Sequence, residues 1–424
     1  MAVGRDERPF LIFWKTRENR YTLPVILGCL EGEGLHRSFR ILLPGSAEQI
    51  PAEAACAKAI AGFSFMTPQL WQVRQEVEKF KTALGEEAVF LAGGPHATGD
   101  PQGTLRLGFD FAFTGEAERT LPAFLRQFLA GEPPETRILS GEKDSCLFSS
   151  YPPHSLEQRY FSPVEITRGC VYHCSFCQTP RIFGHSLRHR SAGVIAAHLK
   201  AAIPYGFRRS AFISPNAFSY GSTGSQGTNL PAIEELLNAC RQAGVADIHF
   251  GCFPSEVRPD WVHPEILQVV KRYCRNKTIV LGAQSGSDSM LARLNRGHTA
   301  QQGLTAARWI RQAGFTPHVD FVFGFPGENL EDRKLSLQMM GTMIRENGAK
   351  IHAHTYMPLP GTPLFQKEPS QLDPETKNEL KNWEQKKKLD GWWNEQEVMA
   401  WKIVEWRDKG LIGISLPGEF SLDS

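Results

Sequence analysis

Val164-Glu165-Ile166-Thr167-Arg168-Gly169-Cys170-Val171-Tyr172-His173-Cys174-Ser175-Phe176-Cys177 sets three cysteines within eight residues, directly after a β-rich run that ends at Gly169. The spacing, C-x3-C-x2-C, is too tight for a disulfide framework and odd in number. It suits a loop wrapped around one inorganic cluster. Thiolates are the usual ligands of iron–sulfur clusters, and a cubane takes four. Only three are local, which leaves one iron open, as an open position marks a catalytic rather than a structural metal. Zinc is the competing reading. It needs a fourth Cys or His, for which His173 and His185 stand nearby, but zinc ligand pairs come as C-x2–4-C with a distant second pair.

Phe176, directly before Cys177, completes C-x3-C-x-(aromatic)-C, and this resembles the motif of the radical S-adenosylmethionine (SAM) superfamily. The resemblance implies a [4Fe–4S] cluster on Cys170, Cys174 and Cys177, with the amino and carboxylate groups of SAM on the open iron. It implies electron transfer from the cluster, cleavage of the sulfonium and release of a 5′-deoxyadenosyl radical. An electron donor such as flavodoxin or ferredoxin is then an expected partner.

Composition sets the outer bounds. The chain has 424 residues, enough for two or three domains, with 41% hydrophobic and 22% charged residues. A net charge of +2 gives no strong electrostatic argument for nucleic acid or an anionic membrane. The charged start, Met1 to Arg8, is not a signal peptide, and no apolar run approaches the ~20 residues of a membrane span. The nine cysteines are spread thinly outside the loop, as expected of a reducing cytoplasm.

Residues 1–135 alternate short apolar strands with helical patterns, which predicts a doubly wound parallel sheet. Strands are expected at Phe10–Trp14, Ser38–Leu43, Ala59–Phe65, Ala88–Ala92 and Phe109–Phe113, with helices at Tyr21–Leu30, Gln69–Leu84 and Glu118–Leu129. Ligands bind such sheets beyond the carboxyl ends of the strands, where small and polar residues gather here. Gly62-Phe63-Ser64-Phe65-Met66-Thr67, Ala92-Gly93-Gly94-Pro95-His96-Ala97 and Gly115-Glu116-Ala117-Glu118 together resemble the cobalamin-binding domain that precedes many radical SAM domains. The resemblance implies cobalamin contacts from Asn19, Tyr21, Ser64, Thr67, Gly93, Gly94, Pro95, His96, Thr114, Gly115 and Glu116. Many cobalamin proteins carry D-x-H-x-x-G after the first strand. Here that loop reads Lys15-Thr16-Arg17-Glu18-Asn19-Arg20-Tyr21, with no histidine before His36, so a base-off, His-off cobalamin is expected. His96 is not read as a cobalt ligand. Radical SAM methylthiotransferases also have a Rossmann-like first domain, but it holds three cysteines for a second cluster. Cys29 and Cys56 are suggestively placed, while Gly93-Gly94 stands where the third is sought.

A linker is expected over 136–160, laid on both domains, with Cys146 structural or exposed. Residues 161–365 alternate strand and helix again, and six β/α units match the partial (β/α)6 barrel that the SAM resemblance implies. Barrel chemistry sits at the carboxyl ends of the strands. Read in order, those ends offer SAM contacts at Phe176, Arg190, Ser214, Asn216, Gln284 and Gly324. Gln284-Ser285-Gly286-Ser287 resembles the E/Q-S-G-S segment of methylthiotransferases and cobalamin relatives, and Gly324-Phe325-Pro326-Gly327-Glu328 the family's G-F-P-G-E element. Pro358 to Pro363, another family segment, is expected to close the barrel, and the Gly/Ser run to Thr228 to form a mobile loop. Tyr220, Tyr172 and Glu256 are candidate acid–base groups, and no catalytic residue is singled out. Residues 366–424 predict a helical extension, with Trp392, Trp393 and Trp401 packing on the barrel and Lys386-Lys387-Lys388 solvated. No added RNA-binding domain is evident. The expected enzyme is a cobalamin-dependent radical SAM methyltransferase acting on a small-molecule or peptide substrate. A radical rearrangement, oxidation or methylthiolation is the alternative, and a non-catalytic sensor lies further off.

Overall fold

The computed structural model of the protein describes residues 6–142, 145–224 and 227–413, with the side chains of 145–147 excepted. The first five residues, the Cys146 side chain and positions 225–226 of the Gly/Ser run therefore lie outside the described residues. Two compact units emerge. The first takes the chain up to Ser162, Leu359–Gly361 and the chain from Glu405; the second takes Pro163–Pro358 and Thr362–Val404.

The first unit is built on strands β1 (Phe10–Phe13), β2 (Arg40–Leu42), β3 (Ala59–Ser64), β4 (Val89–Gly93), β5 (Phe111–Thr114) and β6 (Ile138–Ser140). They form one sheet in the order β2-β1-β3-β4-β5-β6, parallel throughout. Strands β1 and β3 are buried along their whole length, as continuous apolar runs covered on both faces should be. One face packs Leu11, Phe13, Ile60 and Leu91 against Leu23, Leu27 and Leu30 of helix Thr22–Gly32. The other carries an aromatic stack in which the Phe63 ring lies 5.3 Å from Trp14, 5.1 Å from Phe80 and 5.5 Å from Phe109. The order reverses between β1 and β3, so the crevice of the sheet opens there.

Strand β6 lies in the expected linker. Its three residues pair with Ala112, Phe113 and Thr114, adding a sixth strand to the sheet. Downstream, the Glu31 carboxylate accepts from the backbone N–H of Leu156 at 3.0 Å and of Glu157 at 3.1 Å. The described residues of 136–160 are thus stitched onto the first unit. Leu359–Gly361, expected to close the barrel, groups with the first unit, where Pro360 packs against Gly99.

The second unit contains β7 (Val164–Glu165), β8 (Thr167–Arg168), β9 (Arg188–His189), β10 (Arg209–Ser210), β11 (Phe212–Ile213), β12 (Asp247–Ile248), β13 (Thr278–Gln284), β14 (Thr316–Phe323), β15 (Lys350–Thr355) and β16 (Leu389–Gly391). β7 pairs with β11 and β10 with β12. A bond of 2.9 Å from Val280 N–H to the Gly251 carbonyl and a Val257–Leu281 bridge carry the sheet on to β13. The ladder continues β13-β14-β15-β16, all parallel. The six expected barrel strands are present in sequential order, and β16 is a seventh that the charged tail conceals. In β14, Pro317, Val319, Phe321 and Phe323 are buried while the alternate residues are half-buried, the period of two expected of a strand with unlike faces. Helix Leu330–Asn347 starts on a capping box between Asn329 and Asp332.

Helices at Pro374–Gln385 and Trp393–Asp408 match the expected tail. Trp393 is buried and donates to Glu384 at 2.8 Å. Trp392 and Trp401 are exposed instead of packed. Lys386, Lys387 and Lys388 are exposed, as expected.

Candidate cofactor sites

The cysteine loop leaves β8 and returns along β9, its antiparallel partner. Backbone bonds set its shape, from Cys170 N–H to the Gly184 carbonyl at 3.0 Å and from Cys177 N–H to the Cys174 carbonyl at 3.1 Å. Burial pushes the Cys170 thiol up to about 11, and the other two sulfurs push it the same way, so the three share one neighbourhood. A bound cation would reverse that and hold them as thiolates. Zinc thiolates sit about 3.8 Å apart on a tetrahedron with 2.3 Å bonds. His173 and His185 stack on each other, centroids 3.9 Å apart.

Arg296 is the group that the sequence reading missed. It is buried, and its guanidinium donates to Cys174 Sγ at 3.5 Å and to the Gly282 carbonyl at 2.7 Å. A fixed cation against a thiolate offsets the charge of an anionic cluster. Its side chain comes from the loop after a short helix, Asp288–Arg293. The only sequence signal was an arginine in the segment 294–299, which is weak because arginines in loops are mostly solvated. Gln284 Nε2, Glu256 Oε2 and the Arg296 guanidinium converge on Gly282, each within 3.0 Å of where a methyl there would lie. Glu256 also bonds Asp320, whose carboxyl burial pushes up, with Glu256 adding to the shift. This pair of acids beside one arginine faces the barrel interior.

The expected SAM residues separate into two kinds. Gln284 sits at φ +68°, a conformation that non-glycine residues rarely adopt, where the β13–β14 register shifts. Asn216 is buried, its Oδ1 accepts from Arg258 N–H at 3.3 Å, and its Nδ2 has no protein partner. A buried amide with an unpaired donor suits a polar ligand. Phe176 packs 5.3 Å from Phe325, which ties the cysteine loop to the Gly324–Glu328 turn. There Gly324 N–H donates to Glu328 at 2.6 Å, and Arg333 donates to the same oxygen at 3.0 Å. The other two, Ser214 and Arg190, brace the frame, as does the acid–base candidate Tyr220. Ser214 Oγ donates to the Asn216 carbonyl at 2.9 Å. Arg190, expected at the ligand or in solvent, is buried with its Nε on the Glu165 carbonyl at 3.0 Å. Tyr220 is buried and donates to the Arg190 carbonyl at 2.7 Å. Tyr172 donates to Asp260 at 3.0 Å under the Arg258 guanidinium, 3.3 Å from its ring, at the edge of a cleft of about 310 Å³ that Thr228, His263 and Gln302 also line.

In the first unit the expected cobalamin residues ring the carboxyl ends of the strands. Asn19 is buried, donates to the Trp14 carbonyl at 2.8 Å and to the Ser64 carbonyl at 3.3 Å, and so clamps β1 to β3 at the crevice. Tyr21 is half-buried with the Arg20 guanidinium 4.6 Å over its ring. Gly115 N–H donates to Thr98, and Thr114 to Ser140, each at 3.0 Å. Glu116 is buried, with Gly141 against its backbone. Gly93, Gly94 and Pro95 are half-buried and open a helix, Gly94–Gly99, where a loop was expected. His96 is fully buried on that helix, bonded through Nδ1 to Thr67 Oγ1 at 3.0 Å and stacked on Phe65, with burial holding its pKa down at about 3. It supports the Gly93–Pro95 ledge from beneath. The ledge offers backbone and small groups to a broad flat ligand, and no imidazole stands in the loop after β1.

Gly94 is demanded by the protein's own packing. It sits at φ +89°, and a Cβ would lie 2.9 Å from Ser64 Oγ and 3.0 Å from the Phe65 backbone. Gly94→Val is expected to cost the first unit about 2–3 kcal/mol and its corrinoid. Thermal unfolding and the visible corrinoid spectrum check this, with unchanged iron content as the control.

A Radical SAM superfamily model matches residues 164–340, and a B12 binding domain model matches residues 25–125. The chain is a radical SAM protein with a B12-binding domain. The first of these works with a [4Fe–4S] cluster and SAM, the second with cobalamin, so those are its cofactors. This B12-binding radical SAM protein is 25% identical over 328 residues to an uncharacterised protein of Methanopyrus kandleri, covering 64% of this chain and 61% of that one. It is 30% identical over 235 residues to tRNA-2-methylthio-N(6)-dimethylallyladenosine synthase of Pelobacter propionicus, covering 54% and 50%. The chain spans less than two thirds of the length of either relative. The structure of the radical SAM methyltransferase TsrM from Kitasatospora setae, with cobalamin and [4Fe–4S] cluster bound, aligns with TM-score 0.61 at 14% identity over 85% of this chain and 77% of TsrM. The cobalamin-dependent SAM radical enzyme OxsB aligns with TM-score 0.59 at 16% identity over 79% and 52%. At such identities the likeness is one of fold. No helix among the described residues is long and apolar enough to cross a membrane.

Proposed function

We propose that this cobalamin-dependent radical SAM enzyme transfers a methyl group from SAM to a carbon of a small-molecule or peptide substrate. The reading rests on one observation: a B12-binding sheet and a three-cysteine cluster loop lie in the same chain. When bound, cluster and SAM supply a hydrogen-abstracting radical, and cobalamin supplies a methyl carrier. The protein's part is to hold Cys170, Cys174 and Cys177 on the cluster, to meet SAM through Phe176, Asn216, Gln284 and the Gly324 backbone, and to seat the corrinoid on Gly93-Gly94-Pro95. Arg190 and Ser214 position those contacts from behind. The histidine-free loop over residues 15–21 leaves the lower face of cobalt without an imidazole, hence His-off. A flavodoxin- or ferredoxin-type reductant in the reducing cytoplasm completes the system. TsrM, a methyltransferase with both cofactors bound, supports the reading as a precedent for this fold.

Methylthiolation is the second reading, favoured by the synthase relatives. It needs three thiolates for a second cluster in the first unit. Cys29 is buried with its thiol on the Glu118 carbonyl at 3.3 Å, and Cys56 precedes β3, at the amino edge of the sheet. Two thiolates are too few for a cubane, and Gly93-Gly94 stands where the third is sought. The test is anaerobic incubation of the reconstituted enzyme with reductant and methyl-deuterated SAM. Label recovered on the corrinoid, with 5′-deoxyadenosine released on adding substrate, is the expected result. A corrinoid that stays unlabelled, or a product that gains methyl and sulfur together, overturns methyl transfer.

A further inference from the structure

The interior of the second unit's sheet holds polar side chains that, apart from Asp320 with its bond to Glu256, the cofactor sites do not use. A barrel core is normally filled by Val, Ile and Leu. Here the inward positions of β14 and β15 are His318, Asp320, His352 and His354, and Asp390 of β16 faces them. The register sets Asp320, His352 and Asp390 directly opposite one another on three adjacent strands. Asp390 is held there by Gly391, where the strands approach so closely that a Cβ would lie 2.1 Å from the Ala353 carbonyl oxygen.

One oxygen of Asp390 faces two imidazoles, His318 Nε2 at 3.3 Å and His352 Nδ1 at 2.5 Å. All three ligand atoms lie within 4.8 Å of one another. Ligands bound to a common zinc ion at about 2.0–2.1 Å stand about 3.3 Å apart in a tetrahedron. The three atoms are therefore near metal-ligand spacing already. We propose that His318, His352 and Asp390 bind a first-row divalent cation of the zinc type, which clamps the edge strand β16 onto the barrel. Two imidazoles and one carboxylate form the donor set that such ions favour. His354, its ring 4.5 Å from that of His352, is anchored through Nδ1 to Gln396 at 3.2 Å and packs beside the site. Asp390 is half exposed and the two histidines about a quarter exposed, so an ion has a way in. Lys350, two residues before His352 on the same strand face and paired with His318 in the ladder, is exposed, and its charge reaches His318.

The position argues for a structural role. His318 lies five residues before the end of β14 at Phe323, roughly 16 Å along the strand from the carboxyl edge. Barrel chemistry occupies that edge, while the amino end serves stability. β16 has only three residues, and an edge strand so short gains from an added tie.

The test uses full-length protein with its [4Fe–4S] cluster loaded, so that the cysteine loop is occupied, and Zn²⁺ titrated against a competing chelator. Wild type is expected to bind one zinc with micromolar affinity or better, with N/O and no sulfur scatterers in its X-ray absorption spectrum. Asp390→Asn and His318→Gln are each expected to weaken it at least roughly 10–100-fold. Saturating zinc should raise the unfolding temperature of wild type and leave those of the variants unmoved. His318→Gln leaves β16 untouched, which covers the case in which Asp390→Asn does not fold. Failure to bind at micromolar zinc, sulfur among the scatterers, or equal affinity in His318→Gln overturns the proposal.

Discussion

Cys174→Ala is expected to leave the protein without its cluster. Iron should fall to background, and 5′-deoxyadenosine formation should drop by well over the roughly 10–100-fold that losing a supporting residue costs a metal site. The reason is local. Cys174 is the one of the three cysteines buried from solvent as a residue, and the one against which Arg296 is set, at 3.5 Å. With alanine there, two thiolates remain, too few for a cubane. Cys56→Ala is the control, an exposed thiol outside the loop whose loss should change neither iron nor turnover. Iron analysis with the visible absorbance of the cluster, followed by a deoxyadenosine assay, decides the matter. Full iron in Cys174→Ala would remove the cluster assignment.

Arg296→Gln is expected to be the most damaging change outside the cysteines. The guanidinium is buried, bonded to a sulfur and a carbonyl, and lies beside Glu256. Removing the cation leaves Glu256 and Asp320 facing each other without their counter-charge, and uncompensated buried charge costs about 3–5 kcal/mol. The loss should appear as a lower denaturation midpoint at neutral pH. A second readout separates this from mere instability. A cation donating to a cluster ligand favours the reduced, more negative state, so the variant's cluster should shift to lower potential, on the order of tens of millivolts. Unchanged potential in a folded, iron-loaded variant would show that Arg296 serves packing alone.

Local patterns were read well. The cysteine loop, the alternation of strand and helix in both halves and the helical tail all rest on short-range rules, and each appears near its expected place. Short-range rules leave a residue's partner open when that partner is distant in sequence. His96, expected among the cobalamin contacts, is buried against Phe65 and Thr67. Arg190, expected at SAM, has its Nε bonded to a strand carbonyl. Strand β6 and strand β16 have three residues each, too few for periodicity to reveal.

From its letters alone this chain declared three thiols at cluster spacing and two alternating α/β patterns, because ligand spacing and strand period are set by neighbours a few residues away. Which charge faces the sulfurs, which glycine must stay glycine, and which histidines meet an aspartate were decided only by tertiary folding, which brings His318 and Asp390, 72 residues apart in sequence, within 3.3 Å. Side-chain partnership across a sheet is a property of the pairing, and no single segment carries it.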